Sequence, residues 1–294
     1  MPMRYDVRLQ LRYDYQYPAA NGRHLVRVLP RALPGEQWLQ QSQLRFDPCP
    51  DELEEFEDFF GNRVVSIALR APHQSLDVQM HAQLEVERQP PQLDLSPDID
   101  GLRDELAAVR SLAPDSPSHF LAPSPRVPVL ERITGYAGPS LRATPSVLAA
   151  AQHLGRRLRN DFAYDPEATE VDTPVAQAFD MRRGVCQDFS HIMIAGLRGL
   201  GIPAGYVSGF LRTLPPPGEP RLEGADATHA WVRIWCGLQM GWQEFDPTNG
   251  IAAGEDHITI GHGRDYGDVA PIVGVLKTSG EHEASQAVDV LPLE

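Results

Sequence analysis

Three separated stretches carry residue types that could perform acyl transfer together: Arg183-Gly-Val-Cys186-Gln-Asp-Phe-Ser-His191, Thr228-His229-Ala-Trp231 and Phe245-Asp246-Pro-Thr248. In chain order they offer a thiol, an imidazole and a carboxylate. A thiol becomes a strong nucleophile when a base takes its proton, and the base works best when a third group fixes its tautomer. Gln187 to Leu200 is predicted helical, with Phe189, Ile192, Met193, Ala195, Gly196, Leu197 and Leu200 on a broad apolar face. Gly199-Leu-Gly201 and Pro203 mark its end. Gly184 is expected to let the chain turn tightly just before the helix. Cys186 then falls in or beside the first turn, where unpaired N–H groups and the helix dipole favour a thiolate. The same N–H groups could hold an oxyanion. On position alone, a buried structural cysteine is an equal reading.

The imidazole shifts that balance. Asp226 to Trp235 alternates and is rich in β-branched and aromatic residues, so it is predicted to be a strand with His229 near its start. Gln239 to Phe245 forms a second strand after Gly237, closed by Asp246-Pro247. A hairpin or meander of the two brings Asp246 towards His229. Singly, His229 also reads as a strand-edge histidine and Asp246 as a turn opener before proline. Jointly they read as base and orienter for Cys186. Among the neighbours, Asp188 suits capping of the first helical turn. His191, five residues beyond Cys186, is off its stripe and reads as structural or cleft-lining. Trp231 shares the His229 face of its strand and reads as core packing. Tyr164 could line the cleft and donate its hydroxyl to an oxyanion. With Gln187 and Asp188 it makes up the candidate substrate-binding or oxyanion set.

The block Thr173 to Leu211, together with Thr228-His-Ala-Trp231 and Phe245-Asp-Pro-Thr248, resembles the bacterial transglutaminase-like cysteine protease family, within the papain-like transglutaminase superfamily. Gly263-Arg-Asp-Tyr-Gly-Asp-Val-Ala-Pro271 resembles a further family segment, and the N-terminal part is similar to the family's extra β domain. The resemblance implies Cys186 as nucleophile, His229 as general base and acid, and Asp246 as orienter. It implies cleavage of an amide or isopeptide bond through a thioester on Cys186, with transfer to a primary amine as the alternative outcome. Family members are often encoded beside ATP-grasp ligase-like proteins, which implies peptide-like small substrates. Animal members use an upstream tryptophan at the oxyanion and need calcium. This chain has no tryptophan between Trp38 and Trp231. Two other classes stay open: a non-catalytic peptide-binding module, and acyl transfer from coenzyme A as in arylamine acetyltransferases. No nucleotide pocket is legible for the latter.

Composition fits a soluble, cytoplasmic protein of two ordinary domains: 294 residues, 42% hydrophobic, with no apolar run of membrane-spanning length and no signal-like start. Cys49, Cys186 and Cys236 are an odd set without a CxxC pair, so neither a disulfide framework nor a zinc site is expected. A net charge of −14 argues against nucleic acid, whose phosphates need clustered Lys and Arg. Asp51 to Asp58 is acidic and reads as a solvated helix face; it lacks the alternating oxygen ligands of a calcium loop. No metal or other cofactor is expected.

The elements that must position these residues are also readable. Tyr5 to Tyr15 alternates with period two, and His24–Leu29, Gln41–Phe46, Arg63–Leu69 and Leu76–Glu87 continue as strands. Residues 1–90 are therefore expected to form an antiparallel β domain of sandwich type, with Tyr5, Tyr13 and Tyr15 packing inside it. Residues 91–140 are Pro-rich and read as a surface linker with one short helix near Asp98 to Leu112. Residues 141–294 are expected to form a transglutaminase-like core, with helices at Thr144–Phe162 and Val175–Asp180 before the Cys186 helix. The fold class is α+β, a core of helices packed on an antiparallel sheet. The loop Pro215 to Pro220 is expected to rim the cleft.

Overall fold

The computed structural model describes residues 2–213 and 226–293, so the Pro215–Pro220 loop lies outside the described residues. The alternation at the start of the chain becomes one long strand, β1 (Met3–Val26), with Tyr5, Val7, Leu9 and Leu11 buried on one face. It is joined by β2 (Gln37–Asp47), β3 (Glu52–Glu57), β4 (Arg63–Leu69) and β5 (His73–Val86) in the order β2-β5-β1-β4-β3. The first half of β1 pairs antiparallel with β5 and its last residues with β4. Because one strand serves both halves, the antiparallel unit is a single curled sheet around one hydrophobic core. Asp51–Asp58 is corrected from helix to strand: it forms β3, exposed along its length at the sheet edge. Carboxylates on such an edge discourage pairing with another chain.

The second half of the molecule is built around one buried helix. The helices are α1 (Ile99–Ala108), α2 (Glu131–Arg142), α3 (Val147–Asp161), α4 (Val175–Met181) and α5 (Cys186–Gly199). Every residue of α5 from Gln187 to Arg198 is buried. Residues 91–140 do more than link. Leu102, Phe120 and Val127 are buried, and α2 packs on α5 through Ile133 and Ala137. Gly135, Gly138 and Pro139 obscured the helical period of α2 in the sequence. Two short segments, β6 (Ala163–Tyr164) and β7 (Arg183–Gly184), pair in parallel just before α5.

The core sheet has the order β11-β10-β9-β8-β12, with every neighbouring pair antiparallel: β8 (Ala204–Leu211), β9 (Ala227–Trp235), β10 (Trp242–Asp246), β11 (Ile251–Ala252) and β12 (His257–Gly263). Ala204, Tyr206, Ala230, Val232 and Ile234 pack with the helices. Phe210, Ile258 and Ile260 instead enter the core of the β unit. Each such side chain contributes about 1.5–3 kcal/mol by leaving water. A single-turn helix, α6 (Tyr266–Val269), follows β12. The chain then returns to the first unit: β13 (Ile272–Lys277) and β14 (His282–Leu293) both pair with β1, and Val288 and Val290 are buried in its core. Residues 272–293, expected in the core, therefore complete the N-terminal sheet. Among the described residues, no helix is long and apolar enough to cross a membrane.

The outer edge of β12 faces the β unit, which clasps it with side chains. Gln37 Nε2 donates to Thr259 O at 2.8 Å while Thr259 N donates to Gln37 Oε1 at 2.9 Å. Asn62 does the same with His262, donating to its carbonyl at 2.8 Å and accepting from its N–H at 2.8 Å. Each amide satisfies a buried peptide group as a neighbouring strand would. Arg88, just beyond β5, adds bonds to His257 O (3.3 Å) and Thr259 Oγ1 (3.0 Å). Replacing Gln37 with Leu keeps most of the volume but leaves the Thr259 N–H buried and unpaired, while the Thr259 carbonyl keeps only the Arg31 N–H at 3.1 Å. We predict a loss of about 1–3 kcal/mol in unfolding free energy by chemical denaturation; a change within experimental scatter would show that the clasp contributes nothing.

Candidate active site

Cys186 is the first residue of α5 and is partly exposed, at the buried end of a cap. Val185 N–H donates to Asp188 Oδ2 at 2.8 Å, and Thr169 Oγ1 donates to the same oxygen at 2.6 Å. Gly184 is required here for space: a Cβ would lie 2.4 Å from Asp188 Oδ2. Burial pushes the Asp188 carboxyl up, and the Thr169 and Val185 hydrogen bonds oppose that. Asp188 thus holds the turn that presents Cys186, as its position in the first turn suggested. Gln187 is also occupied, donating from Nε2 to Val171 O at 2.9 Å. Tyr164 is half exposed beside the thiol. β6–β7 pairing sets it opposite Gly184, and the Cys186 charge adds to burial in raising its hydroxyl.

His229 lies on β9 and is buried. Its Nε2 meets Asp246 Oδ2 at 2.8 Å. That leaves Nδ1 unused by the carboxylate, and Cys186 lies close enough for its side chain and charge to act on the imidazole. The register of β9 on β10, from Trp242↔Trp235 to Phe245↔Val232, delivers Asp246 to this point. The geometry therefore brings Cys186, His229 and Asp246 together in the order thiol, imidazole, carboxylate. Burial alone would lower the His229 pKa. Hydrogen bonds to Asp246 and Cys186, and the negative charge on both, reverse this and raise it to about 10. Asp246 is fully buried, which disfavours its charge, yet its two imidazole partners hold it far below the usual carboxylate range.

Asp246 is the most heavily bonded group in the site. Besides His229, its Oδ2 accepts from Asn249 Nδ2 at 2.7 Å and lies 3.3 Å from His257 Nε2. Its Oδ1 accepts the N–H groups of Thr248 (2.9 Å) and Asn249 (3.1 Å). The Oδ1 bonds form a local turn of the kind an Asp before Pro favours. Asn249 and His257 were not found from the sequence. Asn249 could have been, since it ends the Asp-Pro-Thr-Asn turn; His257 carries no local signal. The ligand atoms of His229, Asp246 and His257 all lie within 4.8 Å of one another, close enough to hold a metal ion. A metal there would have to displace hydrogen bonds that already saturate the carboxylate, so a hydrogen-bonded network fits these atoms better.

Trp231 forms the floor. Its indole stacks on His229 (ring centroids 6.1 Å apart) and meets His257 edge-on at 5.2 Å. Its Nε1 donates to Glu244 at 2.6 Å, and Glu244 is held by Arg88 at 3.3 Å. Gly209 on β8 leaves the space: a Cβ there would lie 2.3 Å from the Trp231 ring and 2.2 Å from Ile258 O. His191 takes no part. It accepts from Tyr266 N–H at 3.2 Å, and burial drops its pKa to about 3. A cavity of about 630 Å³ between the β unit and the core sheet is lined by Glu36, Arg88, Arg233, Trp242, Glu244 and His262. It includes none of Cys186, His229 or Asp246.

A helix-borne thiol facing a strand-borne imidazole and carboxylate, with helices packed on an antiparallel sheet, defines the papain-like class of fold. Residues 135–247 match the family model of the transglutaminase-like superfamily, and residues 5–86 match that of the bacterial transglutaminase-like N-terminal region. The chain belongs to that superfamily. An uncharacterized protein of Mycobacterium tuberculosis is 34% identical over 257 residues, covering 86% of this chain and 81% of its relative. One from Mycobacterium leprae is 30% identical over 285 residues, covering 96% of each. The solved structure of a candidate cysteine protease from Cytophaga hutchinsonii superposes with a TM-score of 0.75 at 21% identity, covering all of this chain and 92% of that one, and shares its fold.

The raised His229 pKa has a consequence for stability. The folded value (about 10) exceeds the ordinary value of 6.5, so the folded state binds this proton more tightly. The resulting stability is fully present below 6.5 and is lost as pH rises through 10. Unfolding free energy of the wild type should therefore fall between about pH 7 and 10 more steeply than that of His229→Gln. Denaturant titrations across that range check this, and equal slopes would contradict it.

Proposed function

We propose that the protein is a cysteine-dependent amide or isopeptide hydrolase acting through Cys186, His229 and Asp246. The observation that carries this reading is His229 bonded to buried Asp246 at 2.8 Å through one nitrogen, with Cys186, first residue of α5, close enough to act on the same ring. A raised His229 pKa favours an imidazolium at rest, paired with a Cys186 thiolate. The thiolate attacks the substrate carbonyl carbon, and the C–S bond forms as the carbonyl electrons move to oxygen. Free N–H groups at the start of α5, that of Cys186 first, suit the oxyanion. The C–N bond then breaks as the His229 imidazolium protonates the departing nitrogen. This leaves a thioester on Cys186 and a neutral imidazole. His229 next takes a proton from water, the hydroxide attacks the thioester, and the C–S bond breaks to return the thiolate and release the acid. Asp246 stays ionised throughout and stabilises the imidazolium.

Peptide amides and isopeptides are the substrate class of this reading. Their acyl part would approach over the exposed side of Cys186, past Tyr164. Incubation with a library of such peptides, followed by intact mass measurement, should show an acylated protein that disappears in Cys186→Ala. Release of free acid without added amine supports hydrolysis. Product that forms only with a primary amine would replace it with acyl transfer, and no adduct across the library would contradict the enzymatic reading. Tyr164→Phe should lower turnover of a working substrate by roughly 10²-fold if the hydroxyl serves the oxyanion. Unchanged turnover would remove Tyr164 from that role.

A further inference from the structure

We infer that His257 is a positioning residue for the reaction: a second, neutral imidazole whose Nε2–H holds Asp246 in the orientation that His229 needs. The inference rests on the Cys186–His229–Asp246 reading and extends it to a fourth side chain. His257 is almost fully buried at the start of β12. Its Nε2 lies 3.3 Å from Asp246 Oδ2, the same oxygen that takes His229 at 2.8 Å. The other ring nitrogen settles the tautomer. Gly254 N–H donates to His257 Nδ1 at 3.2 Å, so Nδ1 is an acceptor and the ring proton sits on Nε2. His257 thus points a donor at the carboxylate while carrying no charge of its own.

The surroundings keep the ring there. The edge of Trp231 meets it at 5.2 Å between centroids, and Trp231 also stacks on His229, so one indole sets the spacing of both imidazoles. The His257 carbonyl is bonded by Arg88, and Thr259 two residues on is clasped by Gln37. The β unit therefore fixes the strand that carries the ring. Without the His257 donor, Asp246 keeps two backbone N–H groups on Oδ1, while its Oδ2 is left with the Asn249 amide and His229 alone and loses the donor that fixes its direction from the β12 side. A merely structural histidine would need only the Gly254 bond. The bond to Asp246 separates the two roles.

Two amides divide those bonds. Gln places its nitrogen near the His Nε2 position and can donate to Asp246, but it loses the Gly254 acceptor. Asn can accept from Gly254, but it is too short to reach Asp246. The experiment measures the rate of iodoacetamide labelling at Cys186 against pH for wild type, His257→Gln, His257→Asn and His229→Ala, with a thermal melt of each. We expect wild type to label fast below neutral pH and His257→Gln to stay near it. His257→Asn should be slower by roughly 10- to 100-fold, the loss expected when a buried charged group forfeits one hydrogen bond. The converse order, with Asn normal and Gln slow, would assign His257 to the Gly254 turn and overturn the proposal. Two variants that both label like wild type would overturn it while leaving the triad intact. So would two that are equally slow and equally destabilised, which is the signature of a packing role. Slow wild-type labelling, unchanged by His229→Ala, would overturn the triad reading and the role of His257 with it.

Discussion

The charge on Asp246 is the constraint on which the rest of the structure depends. A carboxylate with no exposed surface costs several kcal/mol to bury unless its oxygens are fully bonded. Here five donors surround it: the imidazoles of His229 and His257, the Asn249 amide, and the N–H groups of Thr248 and Asn249. They come from β9, from β12 and from the turn after β10, so three parts of the core sheet must be in register for the charge to be tolerated. The carboxylate in turn raises the pKa of His229, which makes an imidazolium available to Cys186. The burial of the anion and the orientation of the imidazole are thus the same requirement: the donors that stabilise Asp246 also hold the His229 ring in place.

That requirement extends into the N-terminal sheet. β12 pairs with β8 on one side only, and its other edge would be left with unpaired peptide groups. Gln37 and Asn62 close that edge with paired amide bonds, and Arg88 reaches both the His257 carbonyl and Glu244 under Trp231. β14 seals the arrangement by returning the end of the chain to β1. The β unit is therefore part of the scaffold that sets the imidazole positions, which gives a physical reason for the bacterial N-terminal region to accompany the core in one chain.

Local chemistry was legible in the sequence, and contacts made by topology were not. Cys186 at a helix start, His229 on an alternating strand and Asp246 before a proline each sit in a pattern a few residues long, and one hairpin suffices to join the last two. The same holds for β1, whose alternation reads directly as a buried face. His257 meets Asp246 only because Gly209 admits the Trp231 ring and the β12 backbone, a meeting that no periodicity reports. The α2 helix was hidden by Gly135, Gly138 and Pro139, which are poor helix formers but lie here in a helix stabilised by packing on α5. Acidic β3 resembled a solvated helix because a fully exposed edge strand has no buried face to impose alternation. The return of β13 and β14 to the first sheet pairs residues 246 to 289 positions apart, from Val26↔Ile272 to Arg4↔Leu293, beyond anything local pattern encodes.

The central claim is that Cys186 and His229 rest as a thiolate and an imidazolium beside a charged Asp246. Ultraviolet absorbance of the thiolate, followed against pH as the difference between wild type and Cys186→Ser, tests it without any substrate. The account predicts thiolate absorbance already present near pH 6 in the wild type and absent there when His229 is replaced by Ala. Absorbance that rises only near the free-thiol value of about 8.5, alike in both proteins, would contradict it.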